Sequence, residues 1–270
     1  MRRIAHISDL HFGRHEPAMV DSLGDWLNRS DLDLIVVSGD FTQRARSAEF
    51  AAARQFLDAI LPPTLIIPGN HDLPLNNLFA WLFRPLAKYE RHLSPLGIKT
   101  PFFADEEIAV LGIRTPRRLT GKNGRISRDQ IGEIRRIFGE IDPNIFRILV
   151  THHPLGSPGG RPLVELAGGS RRAIKAIAAA GVHILLSGHH HQAISGQIGP
   201  DPVSANSILV IHAGTAVSTR TRHDYGNTFN LIEIHASRTR VGVLEWTPSR
   251  GFVETRMEVY QLSDGSWQKA

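Results

Sequence analysis

The chain has 270 residues, 41% of them hydrophobic and 21% charged, which is an ordinary composition for a globular protein. It contains no cysteine, so disulfides, zinc–thiolate sites and thiol catalysis are excluded. Its formal net charge of +5 favours anionic partners such as phosphate esters. No apolar run approaches the roughly 20 residues of a membrane span and no secretory signal precedes the first strand, so we expect a cytoplasmic protein.

The first half of the chain alternates apolar strand segments with amphipathic helices. Strands are predicted at Ile4–Ser8, at the continuous Leu/Ile/Val run Leu32–Val37 and at Thr64–Ile67. Helices are predicted between them at Met19–Asn28 and Ala48–Ile60, the second ending before two prolines. This order is typical of a sheet covered by helices.

The next segment is rich in aromatic residues and begins two residues after a polar motif. We predict that it is helical and forms a cap-like insert at about residues 74–95, beside the site. In the alternative interpretation, its aromatic side chains fill ordinary core. Those residues are Phe79, Trp81, Phe83 and Tyr89.

Strand and helix patterns return in the middle of the chain. A capping box at Ser127 predicts a helix that runs to about Phe138. Ser170 is the predicted N-cap of a further helix that ends near Ala180. Strands are predicted at Phe102–Ala104, Ile108–Ile113, Phe146–Val150 and His183–Leu186.

After His191 the pattern changes to strands joined by turns, at Ser207–His212, Phe229–Ile234, Val241–Trp246 and Val253–Gln261. We predict that they form a second, largely antiparallel sheet, a C-terminal β meander from about residue 207. Alternating βα units followed by a meander favour an α/β fold of two packed sheets flanked by helices. No linker, repeat or low-complexity tract interrupts the pattern, so we expect residues 1–270 to form one domain.

Five polar motifs each follow an apolar run that predicts a buried strand. Because groups at the carboxyl ends of such strands converge on one crevice of an open α/β sheet, these distant motifs are expected to form one site. Carboxylates, imidazoles and an amide suit divalent metals, and a metal pair clamps the oxygens of a phosphoryl displacement. The motifs are Asp9-Leu10-His11, Gly39-Asp40, Gly69-Asn70-His71-Asp72, His152-His153-Pro154 and Gly188-His189-His190-His191.

The spacing within the motifs suggests which residues act together. Asp9 and His11 are separated by one residue, so both side chains can be aimed at the same ion. His189 and His191 repeat this spacing. Asp40 follows a glycine that permits a sharp turn, and its two oxygens make it the candidate bridge between two metals.

The remaining motif residues supply neutral and proton-bearing groups. Asn70 offers a neutral oxygen, which limits the negative charge that an anionic substrate meets. His71 is the candidate general acid, or the donor to a phosphoryl oxygen. Asp72 is expected to orient His71 or a ligand, and His152 is a further candidate ligand at a strand end.

Each motif alone is a weak signal, because Asp-x-His and Gly-Asp also occur in ordinary turns, but the ordered set at strand ends is a strong one. His153 and His190 are sequence neighbours of candidate ligands, and His212 and His223 are candidates to reach the site from late loops. The other histidines are interpreted as structural or surface groups. They are His6, His15, His92, His183 and His235.

The motif set resembles the calcineurin-like metallophosphoesterase superfamily, whose five motifs are all present between Asp9 and His191. The resemblance implies a four-layer αββα sandwich of two mixed sheets, two ions of manganese, iron or zinc, and a hydroxide between them as the nucleophile. His71 matches the catalytic histidine of the family. The implied ligands are Asp9, His11, Asp40 and His191 for one metal, and Asp40, Asn70, His152 and His189 for the other.

Within the superfamily the chain is most similar to the bacterial cyclic-nucleotide phosphodiesterase branch. The similarity lies in its compact length and in the motifs Gly69-Asn70-His71-Asp72 and Gly188-His189-His190-His191. It implies hydrolysis of cyclic nucleotides or similar small phosphodiesters, without a stable nucleic-acid partner. It leaves both a monomer and a homodimer open.

Three alternatives stay open. A UDP-diacylglucosamine pyrophosphate hydrolase would use the aromatic insert to hold acyl chains, but such enzymes typically carry Arg at the position of His71. A nuclease would use the basic stretch Arg114–Arg128 along a phosphate backbone, although no further DNA-binding segment is evident. A non-catalytic protein-binding scaffold on the same fold is disfavoured by the intact ligand set.

Overall fold

The structure, a computed structural model, describes residues 1–74, 78–94, 98–117, 120, 122–160, 165–199, 206–220 and 226–270. Its helices are α1 (Pro17–Arg29), α2 (Ser47–Asp58), α3 (Leu78–Phe83), α4 (Ala87–His92), α5 (Arg128–Gly139) and α6 (Ser170–Ala179). The strands of the first half are β1 (Arg2–Ile7), β2 (Leu34–Val37), β3 (Thr64–Ile66), β4 (Phe102–Ala104), β5 (Ile108–Ile113) and β6 (Phe146–Thr151). Those of the second half are β7 (Ile184–Ser187), β8 (Ile194–Ile198), β9 (Ile208–His212), β10 (Thr228–His235), β11 (Arg238–Thr247), β12 (Gly251–Ser263) and β13 (Ser266–Lys269).

The strands form two mixed sheets. The seven-stranded sheet has the order β13-β12-β11-β10-β1-β2-β3, and the six-stranded sheet has the order β4-β5-β6-β7-β9-β8. In the first sheet β1, β2 and β3 run parallel, whereas β10 pairs antiparallel with β1. In the second sheet β5, β6, β7 and β9 run parallel. The carboxyl ends of the parallel strands therefore meet at one edge of each sheet.

Three apolar cores separate four layers of structure. Alternate residues of β2 point to opposite faces of their sheet. Ile35 lies in the core beneath α1 and α2, and Leu34 lies in the core between the two sheets. A third core joins the six-stranded sheet to α5 and α6, where Leu149 meets Phe138 and Ile177. This arrangement confirms the predicted αββα sandwich of two mixed sheets.

Of the two predicted helix N-caps, one is confirmed and the other lies one residue away from its predicted position. At Ser127 the side chain accepts a hydrogen bond from the Gln130 N–H and the capping box is complete. At the start of α6, however, Gly169 is the N-cap in a left-handed conformation, and Ser170 is the first helical residue. The prediction of Ser170 as N-cap was wrong by one position because a glycine tolerates the positive φ that this turn needs.

The predicted separate antiparallel sheet at the C-terminal end was wrong. Strand β9 runs parallel to β7 inside the six-stranded sheet, and β10 to β13 extend the sheet that begins with β1. The alternation of apolar and polar residues along these strands predicts which side chains are exposed. It does not predict which strands pair, because the partners are distant in sequence. The short strands β8 and β13 were not predicted; each forms one edge of a sheet.

The aromatic insert is helical where the structure describes it, through α3 and α4. Tyr89 is buried in the core beneath α1 and α2, with its ring 6.1 Å from the ring of Phe41, so this aromatic residue fills core as in the alternative interpretation. Phe83 is exposed. The side chain of Phe79 and residues 75–77 and 95–97 lie outside the described part of the chain, and the capping role stays a prediction.

Within the described residues, none of the helices combines the length and the apolar character that crossing a bilayer requires.

One half-buried imidazole far from the motifs, that of His183, makes the stability of the fold sensitive to acid. The ring of His183 stacks on Phe146 at 4.4 Å, and its Nδ1 accepts a hydrogen bond of 3.0 Å from the backbone N–H of Arg147. Burial, aided by the charge of Arg147, lowers the pKa of His183 to about 4. Because the unfolded chain binds this proton below about pH 6.5, stability is lost as the pH falls from 6.5 towards 4.

Replacement of His183 by Asn keeps an acceptor for the Arg147 N–H and removes the titration. We expect the metal-free wild type to lose roughly 2 kcal/mol more unfolding free energy than His183→Asn between pH 7 and pH 5, measured by urea denaturation. His235→Asn, at an exposed position, is the matched control. Parallel pH profiles for wild type and His183→Asn would contradict the assignment.

Candidate metal centre

The five motifs come together at the carboxyl ends of strands from both sheets. Asp9 and His11 follow β1, Asp40 follows β2, and a 3₁₀ turn, Asn70–Asp72, follows β3. From the other sheet, His152 follows β6 and the pair His189 and His191 follows β7. The crevice between the two sheet edges thus holds the predicted metal ligands and His71.

Five of these residues adopt left-handed backbone conformations that side chains other than glycine rarely occupy. Each such conformation costs on the order of 1–3 kcal/mol, so backbone strain is concentrated where the strands end. The residues are Asp9 (φ 53°), His11 (φ 48°), Asp40 (φ 54°), His189 (φ 73°) and His191 (φ 57°).

Gly39, the residue before Asp40, allows the two sheets to approach at this point. Its φ is +103°, and a Cβ placed on it would lie 2.7 Å from Nδ1 of His152 and 2.8 Å from the backbone N of Gly69. A side chain here would therefore push apart the strand ends that carry three of the motifs. The sequence requirement for glycine at this position is steric as well as conformational.

The first cluster consists of Asp9, His11 and His191, all buried. Oδ1 of Asp9 lies 3.1 Å from Nε2 of His191 and 3.7 Å from Nε2 of His11. The two Nε2 atoms are themselves 3.2 Å apart. The other carboxylate oxygen, Oδ2, accepts hydrogen bonds from the Ser8 hydroxyl and the His189 N–H, which fix the orientation of the carboxylate.

The second cluster forms around His152. Its Nδ1 bonds to the carbonyl oxygen of Ser38 at 2.8 Å, which directs Nε2 into the crevice. This Nε2 atom lies 3.1 Å from Oδ1 of Asn70 and 3.4 Å from Oδ2 of Asp40. His189 also joins His152 in a group whose ligand atoms lie within 4.8 Å of one another.

Asp40 faces both clusters. Its Oδ2 lies 3.4 Å from Nε2 of His152 and 3.9 Å from Nε2 of His11, and its Oδ1 accepts a hydrogen bond of 2.8 Å from the His71 N–H. Asp9, Asp40 and His152 also form a group of ligand atoms within 4.8 Å. A carboxylate in this position can contact two ions at once.

The donor atoms fit divalent cations. Atoms bound to one ion at 2.0–2.2 Å are about 3.0–3.4 Å apart, close to the shorter distances found here. Among the described residues Oδ1 of Asp9 is buried without a hydrogen-bond partner, although it faces two imidazole nitrogens. Carboxylate, imidazole and amide donors suit manganese, iron or zinc and do not select among them.

The pKa values of the clustered residues also favour a bound cation. Burial opposes ionisation of Asp9, but the neighbouring His191 and further histidines hold the pKa of this carboxyl well below its ordinary value. The pKa of Asp40 is likewise lowered against burial, chiefly by His152. Burial alone would lower the pKa of His152, but Asp40 raises it to about 9. A bound cation would replace the imidazolium charge and release its proton.

His71 is partly exposed at the mouth of the crevice and is fixed by its neighbours. Its Nδ1 bonds to the carbonyl oxygen of Gln43 at 2.8 Å, and its ring meets the ring of His11 edge-on at 4.8 Å. The group that orients His71 is thus a backbone carbonyl after β2. Sequence reasoning missed Gln43 because a backbone acceptor leaves no signal in residue type.

Asp72 does not contact the His71 ring and organises the backbone of two motifs. Its carboxylate accepts hydrogen bonds from the backbone N–H groups of Phe41, Thr42 and Gly69. Burial and the nearby charge of Asp40 raise the pKa of Asp72 to about 7. Asp72 has no hydrogen bond to the His71 ring among the described residues, and the predicted role of orienting His71 or a ligand stays a prediction, exerted through the backbone and the Thr42 hydroxyl.

Neighbouring residues complete the surroundings of the site. His153 joins the group of His152 and His189, and its Nδ1 bonds to the Thr115 hydroxyl. Glu165, not predicted, lies 3.9 Å from Nε2 of His189 and accepts a hydrogen bond from His190 through its carbonyl oxygen.

Two further predictions concern residues outside the motifs. His212 is buried beside His190, with ring centroids 6.2 Å apart, and is absent from the metal-type groups found among the described residues. His223 lies outside the described part of the chain. In the basic stretch, Arg114 pairs with Glu90 and lies over the Tyr89 ring, so this arginine has a structural partner.

The sequence matches a known family. Residues 2–193 match the family described as calcineurin-like phosphoesterase. The chain belongs to this family. Membership confirms the resemblance of the motifs and, with the relatives named below, supports the prediction of a metal-dependent phosphodiester hydrolase.

Two curated relatives carry phosphodiesterase names. A probable cyclic nucleotide phosphodiesterase of Synechococcus is 24% identical over 218 residues, which cover 70% of this chain and 73% of that protein. The glycerophosphodiester phosphodiesterase GpdQ of Enterobacter lignolyticus is 36% identical over 80 residues, or 26% of this chain. That match spans only 29% of GpdQ.

Solved structures share the fold at low sequence identity. A dimetal phosphatase from Danio rerio superposes with a TM-score of 0.68 at 14% identity, covering 97% of this chain and 99% of that one. A purple acid phosphatase from yellow lupin gives a TM-score of 0.65 at 12% identity, covering 96% of this chain and 53% of that one. These likenesses establish the sandwich architecture.

The geometry around Asp40 predicts a metal-binding defect on removal of its charge. Asp40→Asn keeps the acceptor for the His71 N–H but weakens ligation to both clusters, so we expect at least a roughly tenfold loss of Mn²⁺ or Zn²⁺ affinity. Calorimetric titration of metal-stripped protein and elemental analysis after dialysis would measure it. Asp58→Asn, which alters an exposed carboxylate paired with Arg54, is the control. Equal affinities for both variants would contradict the prediction.

Proposed function

We propose that this protein is a dinuclear-metal phosphodiesterase that hydrolyses cyclic nucleotides or similar small phosphodiesters. The observation that carries the proposal is the position of Asp40, whose Oδ2 lies 3.9 Å from Nε2 of His11 and 3.4 Å from Nε2 of His152. One buried oxygen facing two imidazole clusters is the arrangement that a bridging ligand needs. The phosphodiesterase names of both relatives support the diester class.

The proposed ligands divide into two sets that share Asp40. Two divalent ions held there would neutralise the charge of a phosphoryl group and lower the pKa of water. The remaining ligands would be Asp9, His11 and His191 for one ion, and Asn70, His152 and His189 for the other.

The chain's own groups prepare the site for this chemistry. Hydrogen bonds from Ser8 and the His189 N–H hold the Asp9 carboxylate, and the Ser38 carbonyl holds the His152 ring. These contacts fix the orientation of the ligand atoms and so limit the reorganisation that binding requires. The neutral Asn70 amide keeps the total negative charge low for an anionic substrate.

His71 is the proposed general acid. Bonding of its Nδ1 to the Gln43 carbonyl leaves Nε2 as the ring nitrogen that can give a proton to the leaving oxygen. Its partial exposure lets the proton be replenished from solvent. A histidine here also speaks against the UDP-diacylglucosamine pyrophosphate hydrolase alternative.

We also propose that residues 1–270 act as one domain. The last four strands extend the same sheet as the first three, through the antiparallel pairing of β10 with β1.

The function is tested with a diester and a monoester. We expect Mn²⁺-dependent hydrolysis of bis-p-nitrophenyl phosphate in preference to p-nitrophenyl phosphate, and its loss in Asp40→Ala. Turnover of the monoester alone would indicate a phosphatase instead. Turnover of neither, with metal bound, would contradict the proposal and leave a narrow-specificity hydrolase or a scaffold.

The proposed general-acid role of His71 is tested with two substrates whose leaving groups differ in their need for a proton. Loss of a general acid costs about 10²–10⁴-fold for a poor leaving group and less for p-nitrophenolate, which needs no proton. We therefore expect His71→Ala to impair cyclic AMP hydrolysis far more than bis-p-nitrophenyl phosphate hydrolysis. His235→Ala is the exposed control. An equal loss for both substrates would exclude a proton-transfer role for His71.

A further inference from the structure

A surface cavity of about 480 Å³ is lined in part by Gln43, the residue whose carbonyl oxygen holds His71. Of the described residues, five line it, namely the arginines Arg14, Arg44 and Arg220 together with Gln43 and Thr219. All three arginines are exposed and come from loops that follow different strands, β1, β2 and β9. Among the described residues the lining is thus cationic or neutral and polar, without a carboxylate.

Backbone hydrogen bonds hold these loops in register. Phe12 forms an isolated bridge with Thr42, and His15 forms another with Ser218. The N–H of Thr219 donates to the carbonyl oxygen of Arg14 at 2.7 Å. The Cα positions of the arginines are therefore fixed by the fold, although their side chains reach into solvent.

Glu49 fixes two of the loops without neutralising the arginines. Its carboxylate is buried and accepts hydrogen bonds from the backbone N–H groups of Arg44 and Arg46. It also packs against Gly13, where φ is +98° and a Cβ would lie 2.8 Å from the Glu49 oxygen. The Glu49 carboxylate thus accepts hydrogen bonds from the backbone and does not pair with the arginines. Glycine is required at position 13 because Glu49 approaches the first loop closely there.

The three guanidinium groups have no carboxylate partner in the part of the chain that the structure describes. Arg240, by contrast, pairs with both Glu233 and Glu254. Three unpaired like charges around one cavity repel each other, and a bound anion would relieve that repulsion. Arginine suits this task because its planar donors bind phosphate in a bidentate manner.

Gln43 connects this cavity to the candidate metal centre. Its backbone carbonyl holds Nδ1 of His71, its side-chain amide lies 3.5 Å from the same nitrogen, and the residue also lines the cavity. A ligand in the cavity is therefore separated from the proposed general acid by a single residue. An anion bound there can belong to the same small molecule whose diester occupies the metal centre.

We propose that Arg14, Arg44 and Arg220 form a subsite for a second phosphate group, so that the preferred substrates are small phosphodiesters that carry a further phosphate. This rests on the proposed phosphodiesterase function. A simple cyclic nucleotide carries one negative charge, which the metal centre itself satisfies, and leaves these arginines without an anion. A cavity of this size, lined by three arginines, also suits a small molecule better than the long phosphate backbone of a nucleic acid.

The test uses a matched pair of substrates. Thymidine 5′-(p-nitrophenyl phosphate) and its 3′-phosphorylated form share the scissile bond and the leaving group and differ only in the second phosphate. In the Mn²⁺-loaded wild type we expect the 3′-phosphate to raise kcat/KM by at least about tenfold, the effect of one or two charge-assisted hydrogen bonds. A 3′-methyl phosphate distinguishes a terminal phosphate from a second diester as the source of the gain.

The decisive variant replaces all three arginines by glutamine. We expect the ratio of kcat/KM between the two substrates to fall to less than about threefold in this variant, because the second phosphate loses its partners. A control with the same loss of charge replaces Arg29, Arg135 and Arg136, which are exposed on α1 and α5, and should keep the wild-type ratio.

Direct binding provides a readout without turnover. Calorimetric titration of Mn²⁺-loaded protein should show tighter binding of thymidine 3′,5′-bisphosphate than of thymidine 5′-monophosphate, and the difference should vanish in the triple glutamine variant. Circular dichroism and urea unfolding would verify that this variant is folded.

The outcomes separate the two proposals. Hydrolysis of both thymidine esters at equal kcat/KM, with no binding preference for the bisphosphate, would overturn the subsite while leaving the phosphodiesterase function in place. Hydrolysis of neither ester nor of bis-p-nitrophenyl phosphate would overturn the proposed function itself. Stronger arginine-dependent competition by a thymidine octanucleotide than by the bisphosphate would overturn the small-molecule assignment in favour of a nucleic acid.

Discussion

Two buried carboxylates, Asp9 and Asp40, lie at the junction of the sheets, and burial by itself disfavours their charged forms. The structure keeps them ionised by surrounding them with imidazoles, of which His191 and His152 are the chief partners, and by backbone and hydroxyl hydrogen bonds. The same constraint determines much of the neighbouring architecture. A bound cation in place of protonated imidazole would stabilise the same two charged carboxylates.

Convergence at this point is achieved by the backbone as much as by the side chains. Each parallel strand ends in a turn that places the next side chain in the crevice, and five of these side chains stand on left-handed residues. Such strain persists only where surrounding contacts over-determine the conformation. Here they include the Asp72 carboxylate, which ties the backbone after β2 to that after β3. The arginine-lined cavity extends from the same loops, so substrate selection and metal binding share one scaffold.

Much of the fold was predictable from local pattern. Continuous apolar runs gave β2 and β5, and the capping box at Ser127 gave the start of α5. Pairing was not predictable for the C-terminal strands. Their alternating residue pattern fits any neighbouring strand with a complementary face. The pairing of β10 with β1 depends on contacts between residues more than 200 positions apart. The N-cap of α6 was misplaced because serine and glycine compete for that position.

The chemistry-bearing residues were determined by the sequence itself, because Asp9, Asp40, Asn70, His71 and the late histidines occupy recognisable positions after predicted strands. Which of them face one another, at what distance and with which pKa, was decided only by the tertiary structure. So was the contact of His71 with the Gln43 carbonyl, because a backbone acceptor has no residue type. The grouping of Arg14, Arg44 and Arg220 could not be predicted from the sequence either. These exposed arginines are far apart in the chain, and they line one cavity only because the fold brings their loops together.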